Sequence, residues 1–520
     1  MTRDAADILQ ESVGFSLRSH GVAIAMLAAI SLLQSIQSNL LSFVQPCVAG
    51  TFDMDLSEVA ALSALSFVAS AAASPIIGPF ADTMGRRPAC IFGLLLLAIG
   101  GLLSPMAPTF MLLCIGTAIS GIGMADYMPS LCLITEVTPN EIRGRVTNAT
   151  NWLWSAGTVI VVLVAWLILP SAGGGFTQAQ PGETSGGAMG TDSWRVLLAI
   201  FAVPAVAGFA VALCSLRESP IWLLSMGRET EAVEVLQSYA AANGRTFQQS
   251  DLKLLRAALP PPEGSFIDEL RAIWVSPPLR RRALLHALLW FLTGFSYQGV
   301  ILQTTILFEG SGRAEDAETG SEETCSFDFP AELLISVAEI PGTYLVHMLI
   351  DQPCGPFGLL GGRRGLQFLP YVVTAIAGLV TGVSGLSRPV LLVAAVITRC
   401  ALATASSATF VAAPELYPTK VRSTGSNLTY WLSLMGGILS APWVYSDLSR
   451  LTKAAVLALC NLVPGLLALW LPETAGAMDD DAKQAPAEGD DAAGAELSPA
   501  EDARMLPSAA YGTFGDETGS

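Results

Sequence analysis

Twelve apolar runs of about twenty residues or more, separated by polar connections, constrain this chain more than any other feature. They lie at about 21–48, 57–80, 89–107, 110–133, 149–169, 195–215, 283–308, 331–350, 366–386, 389–412, 425–446 and 454–471, and are numbered spans 1 to 12. As a helix, each run crosses a hydrocarbon layer of about 30 Å. Lipid offers no partner to open backbone groups, and these runs lack the alternation of barrel strands. An all-α membrane protein with twelve transmembrane helices follows, with both termini on one side.

Composition agrees. The chain is 52% hydrophobic and 14% charged, where soluble domains carry about 25% charge. This excludes a soluble enzyme and disorder of most of the chain. A net charge of −17 excludes a nucleic-acid partner. Much of the acid excess sits in 476–520, which reads as a disordered cytoplasmic tail. The remaining divisions are a cytoplasmic N-terminus at 1–19, a six-helix bundle at 20–215, a cytoplasmic linker with a short surface helix at 216–282, and a second bundle at 283–475. The N-terminal residues lack a signal-peptide pattern, so span 1 is expected to act as its own anchor. Nine cysteines form no CxxC pair and there are three histidines, so no metal or redox centre is expected and the cysteines read as small core residues. No Walker loop is present and no cofactor is implied. The sequons at Asn148 and Asn427 lie where glycosylation is not expected.

Basic residues set the orientation. Arg86 and Arg87, Arg143 and Arg145, those between Arg217 and Arg282, Arg363 and Arg364, and Lys420 and Arg422 all follow even-numbered spans. Arg388, Arg450 and Lys453 run against the pattern and are outnumbered. The side carrying the linker is therefore read as cytoplasmic.

The halves repeat one another. Glu136, Pro139 and Arg143 after span 4 have the spacing of Glu415, Pro418 and Arg422 after span 10. Asp82 with Arg86 and Arg87 has a looser counterpart in Asp351 with Arg363 and Arg364, and Glu218-Ser219-Pro220 is echoed by Pro472-Glu473-Thr474. Two related six-helix bundles with a site between them is an architecture of secondary transporters.

The stretch from Gly78 through Asp82 and Gly85 to Arg87 resembles the signature loop of the major facilitator superfamily. Trp290-Phe291 with Phe295-Ser296-Tyr297 and Gly299, Glu339-Ile340-Pro341-Gly342, Pro414-Glu415-Leu416-Tyr417-Pro418, and Glu218-Ser219-Pro220 with Trp222 resemble its synaptic-vesicle-related branch. Organic-ion transporters and sugar porters are neighbours, and the resemblance covers about residues 20–475. It implies the major facilitator fold. Gly78 and Gly85 permit close approach and a tight turn. Asp82, Arg86, Glu136 and Arg143, with Arg87 and Glu218 nearby, are expected to form a gate that holds the two halves together, and Glu415 and Arg422 its second version. Plain anchoring of helix ends is the alternative.

Asp126, Glu339 and Arg399 lie deep in apolar spans, where a charge costs at least ~2.5 kcal/mol and marks a functional site. Glu339 and Arg399 lie at matching depths in spans 8 and 10, so they are expected to pair or to share an ionic ligand. A permanent structural salt bridge is the alternative. Gln34 and Gln37 share one face of span 1, at places where the resembling branch often carries acids. Amides take up no proton, which leaves Asp126 as the N-terminal half's coupling candidate. Tyr297 and Gln303 on span 7 complete the candidate set. The expected function is alternating-access transport of a small organic solute, an organic ion or polar metabolite, with proton coupling through Asp126 as an open question. A sugar facilitator and a non-transporting vesicle-membrane binding protein are the alternatives, and a nucleophile–base pair for catalysis is lacking. The partners are the bilayer, the solute and protons. Plasma membrane and vesicle membrane both remain open.

Overall fold

The computed structural model describes residues 5–138, 140–169, 193–258, 266–308, 327–352, 359, 361–417 and 422–473. The acidic stretch 476–520 lies outside them. Eleven helices are long and apolar enough to cross a membrane: Ala23–Gln45, Ala60–Met84, Arg86–Met106, Phe110–Glu136, Val146–Ile168, Ser193–Ser215, Pro277–Phe308, Phe329–Leu349, Gly362–Thr381, Arg388–Ala412 and Arg450–Ala468. Span 11 is Arg422–Val444. It is long enough to cross, but Asn427, Thr429, Ser433 and Ser440 dilute its apolar character, because it is an inner helix with little need of a lipid-facing surface. Exposed side chains such as Ile76, Leu167, Val203, Ile376 and Trp470 form the apolar exterior that a bilayer covers.

Two of the spans are broken. Span 4 runs as helix Phe110–Gly123, a 3₁₀ turn Met124–Asp126, then helix Tyr127–Val137. Span 8 runs Phe329–Val337 and resumes at Glu339–Leu349 after Ala338. A proline follows each break by a few residues: Pro129 cannot donate to the Ala125 carbonyl, nor Pro341 to that of Val337. The interruptions therefore fall at Asp126 and Glu339, the two buried acids singled out above.

Several helix pairs join the halves. Span 2 packs on span 11, where Trp431 Nε1 donates to the Ala71 carbonyl at 3.0 Å and Phe67 covers Gly437. Span 5 packs on span 8 through Asn148 Nδ2 to the Thr343 carbonyl at 3.3 Å, and through Trp152 against Tyr344 and His347. Span 1 meets span 7 where Gln298 Nε2 donates to Ser38 Oγ at 2.9 Å. At the end away from the linker, Phe43 meets Phe327 and Phe329, and Tyr445 donates to Gln45 Oε1 at 3.2 Å. Nearer the linker, Tyr127 stacks on Tyr430 and meets Phe410 edge-on. Aromatic and polar contacts thus join the halves towards both faces.

Inside the C-terminal half, spans 7 and 11 touch through glycines. A Cβ on Gly294 would fall against the Ser433 carbonyl oxygen, and one on Gly436 against that of Phe291, far inside van der Waals contact. Backbone cannot give way as a side chain can. Gly294→Ala is expected to cost about 1–3 kcal/mol and to lower the melting temperature. Gly378→Ala, whose Cβ would meet only the Thr398 side chain at 3.6 Å, is expected to be silent. Parallel thermal melts check the pair.

Among the described residues the linker holds four helices, Pro220–Ser225, Glu229–Ala242, Gln249–Ala258 and Phe266–Val275, where the sequence suggests one. A helix at Ala5–Ser12 joins them, and Ile8 and Val13 pack with Trp222, Leu236, Tyr239 and Leu255. Its end is capped from the linker: Asn243 donates to the Val13 and Gly14 carbonyls, and Arg245 to those of Gln10 and Glu11. His20 lies between the rings of Phe15 and Tyr239, at 4.8 and 4.5 Å, and burial pushes its imidazole down to about 4. The packed form therefore holds His20 neutral. Its stabilisation is full above the ordinary histidine value of about 6.5 and is lost as pH falls from there through the depressed one. Amide exchange in Ala5–Ser12, corrected for intrinsic rate, is expected to quicken between about pH 7 and about pH 5.

One further feature departs from the sequence reading. Cys47 is disulfide-bonded rather than being a small core thiol. Cys90, Cys114, Cys132, Cys214, Cys400 and Cys460 are free thiols.

Candidate functional site

Two charge clusters on the linker face are built alike. Gly85, with φ 113°, turns so sharply that the helix of span 3 restarts at Arg86, which places both arginines of the signature stretch in a first helical turn. Arg86 Nη1 reaches Asp82 Oδ1 at 3.0 Å and its Nε lies 3.3 Å from Glu136 Oε1. Glu218 accepts the backbone N–H groups of Arg86 and Arg87 at 3.1–3.2 Å, a carboxylate on the positive end of a helix. Burial pushes the Glu218 carboxyl up, and its hydrogen bonds to Ser219, Arg87 and Arg86 work against that.

The C-terminal half repeats the arrangement. Arg363 Nη1 meets Asp351 Oδ1 at 2.8 Å, and its Nε and Nη2 hold both oxygens of Glu415 at 2.9 Å. Glu473 accepts the N–H groups of Arg363 and Arg364, each at 3.0 Å. The loose sequence repeat is thus close in three dimensions. The pairs that Arg86 and Arg363 make with Asp82, Glu136, Asp351 and Glu415 lie within each half and tie its own helix ends together. The side chains of Arg143 and Arg422 lie outside the described residues. Gly78 of the signature stretch is placed against the other half, 3.9 Å from Asn427 Nδ2 for an added Cβ.

Mid-membrane, Arg399 Nη2 lies 2.7 Å from Glu339 Oε1, with side chains 3% and 1% exposed. The depths of the two residues along spans 8 and 10 imply this pairing. Tyr297 donates to the same Glu339 oxygen at 3.3 Å, and Trp154 of span 5 donates its Nε1 to the Tyr297 hydroxyl at 2.9 Å. The Arg399 guanidinium lies 5.5 Å from the Tyr297 ring centre. A chain of contacts therefore runs from the N-terminal half into the buried ion pair. Glu339 Oε2, Arg399 Nε and Arg399 Nη1 have no protein partner, so the pair retains donors and an acceptor for a ligand.

In the N-terminal half Gln34 Nε2 donates to Asp126 Oδ1 at 2.5 Å. Asp126 Oδ2 is unpartnered, and the carboxyl rests on Gly93, where a Cβ would collide with it. Gln34, from the neighbouring span 1, holds the acid. Gln37 does not join them. It lines a small void within the bundle with Leu33, Leu97, Leu113 and Phe201. Gln303 is also apart, donating to Thr381 of span 9 at 3.4 Å.

Residues that the sequence reading passed over complete the centre. Trp154 lies in an apolar run and reads as packing. Ser38 is one residue from Gln37 but on the face that meets span 7. Glu332 falls at the start of span 8 and is buried, with Oε1 unpartnered. Its signal was position: it stands two helical turns before Glu339 on the same face.

The chain matches the family described as sugar (and other) transporter over residues 27–479. It is 26% identical over 455 residues to the synaptic vesicle 2-related protein of Pongo abelii, covering 85% of this chain and 76% of that one. It is 24% identical over 439 residues to organic cation/carnitine transporter 7 of Arabidopsis thaliana, covering 78% and 81%. In fold it is similar to the xylose transporter XylE from E. coli in a partially occluded inward-open conformation, with TM-score 0.67, 17% identity and coverage of 88% and 98%. The chain belongs to the sugar (and other) transporter family and is a multi-pass transporter of the major facilitator superfamily, in its synaptic-vesicle-related and organic-cation branch.

Proposed function

We propose that this transporter carries a small organic solute bearing a charged or zwitterionic group, by alternating access between its two six-helix halves. The observation that carries the reading is the Trp154–Tyr297–Glu339–Arg399 chain, which links one half to a buried ion pair with unused donors and an acceptor in the other. A full charge buried at mid-membrane is costly unless it has a task. Arg399 offers a planar fork to a carboxylate, and Glu339 accepts a cationic group. The organic cation/carnitine transporter among the relatives supports this class. The amides Gln34 and Gln298 and the likeness to a xylose transporter support a sugar as the second reading.

The linker face is read as cytoplasmic. The basic residues support this, and the disulfide of Cys47, towards the other end of span 1, supports an oxidising compartment there. The test is uptake by protein purified into liposomes under an inward proton gradient, with a panel of organic cations, anions, amino acids and sugars. Accumulation of an organic ion class supports the reading. Accumulation of sugars alone moves it to the second, and silence from folded protein contradicts both in favour of a binding protein.

A further inference from the structure

Span 8 carries a polar stripe. Asp328, Glu332, Ser336, Glu339 and Thr343 follow one another by four, four, three and four residues, so they share one helical face, and all five are buried. The stripe begins at the end away from the linker and finishes at Thr343, whose carbonyl is bound by Asn148 of the other half.

The charges along it do not balance. Asp328 is paired with Arg388 and Glu339 with Arg399. Among the described residues Glu332 has no cation of its own, and its Oε1 finds no partner. Its electrostatic neighbours are Arg399, already engaged by Glu339, and Asp328, which is of like sign. Among the described residues, the remaining surroundings bring no charge. Ala331, Ile335, Phe308 of span 7 and Ala395 of span 10 form an apolar cluster beside it. Span 5, packed on this segment through Val161, Val162, Ala165 and Trp166, has no charged residue between 146 and 168. Span 7 contributes Tyr297, which is bound to Glu339. Three carboxylates thus share two guanidiniums, and the cluster carries one surplus negative charge unless it takes up one positive charge. A buried charge left unpaired is strongly unfavourable.

We propose that Glu332 is a proton-binding site of the C-terminal half, holding the single proton that balances the two carboxylates sharing Arg399. The proton adds to the Glu332 carboxylate and leaves it to water as a whole proton, with Arg399 charged throughout. When a cationic group occupies Glu339, Arg399 is released towards Glu332, whose proton then departs. One proton is thereby exchanged for one positive charge. This deepens the carrier reading by naming where a coupled proton resides, and the site lies in the half opposite to Asp126.

The test needs no solute, so it can fail while the carrier reading stands. Infrared difference spectra of the full chain in liposomes are recorded at neutral pH, where exposed carboxylates are ionised, in an Asp126→Asn background that removes the other unpaired buried acid. A protonated-carboxyl C=O band is expected. It is expected to vanish in Glu332→Gln, to be lost also in Glu339→Gln, where Arg399 is free to pair with Glu332, and to move in frequency in Glu332→Asp. The last variant decides if Glu332→Gln does not reach the bilayer folded. A band that survives Glu332→Gln, does not move in Glu332→Asp, or is missing from the Asp126→Asn protein overturns the proposal.

Discussion

Replacing Arg399 by alanine is expected to lower stability by about 3–5 kcal/mol, the cost of leaving a buried charge without its partner. Among the described residues Glu339 would keep only the Tyr297 hydroxyl, and Glu332 would lose the one cation that acts on it. Solute transport is expected to fall to background. The double variant Arg399→Gln with Glu339→Gln removes both charges, and amides of similar shape can bond one another. It is expected to recover most of the melting temperature without recovering transport. That split separates a working ion pair from a brace, because a brace would give transport back along with stability. Thermal melts of the single and double variants, read beside uptake, check the result.

The second large effect is expected at Arg363. Its guanidinium holds both Glu415 oxygens, Asp351 Oδ1 and the Ile350 carbonyl at 2.6 Å, and it is buried. Paired, fork-like bonds to a carboxylate are among the strongest a side chain makes. Arg363→Ala takes a buried partner from two acids and a carbonyl, and is expected to cost about 3 kcal/mol. Its counterpart Arg86 makes longer, single bonds to Asp82, Glu136 and the Ala81 carbonyl, at 3.0, 3.3 and 3.1 Å. Arg86→Ala is therefore expected to cost about half as much. Equal losses in the two variants would contradict the geometric ranking, and melting temperatures of both decide it.

The spans were legible because lipid demands a long apolar run for every crossing, a demand written in the sequence itself. The repeat of Asp82–Arg86–Glu136 in Asp351–Arg363–Glu415 was legible for a similar reason, since both clusters stay within a few helix ends. What connects the two halves was less so. Trp154 and Ser38 meet partners more than a hundred residues away, and nothing local marks a tryptophan as a donor rather than as packing. Glu332 sits where a span begins, so it reads as a boundary. Gln37 shows the limit of face arguments: it stands one turn from Gln34, yet one amide holds Asp126 and the other faces a void inside the bundle. The disulfide of Cys47 has no CxxC or other local spacing to mark it in the sequence. The breaks at Met124–Asp126 and Ala338 had a signal in Pro129 and Pro341, each a few residues after a buried acid.

The central claim is that the halves open alternately around the Glu339–Arg399 centre. Its most direct test is electron–electron distance measurement in liposomes, with spin-labelled non-canonical residues so that the native cysteines stay. One pair sits on the linker face, at the exposed positions Met84 and Gln352. The other sits on the opposite face, at Met106 and Leu448. Two populations at each face are expected, with the linker-face pair long when the other is short, and Arg399→Ala is expected to change their proportions. A single unchanging distance at both faces, in folded protein and in the presence of the whole solute panel, would contradict the account.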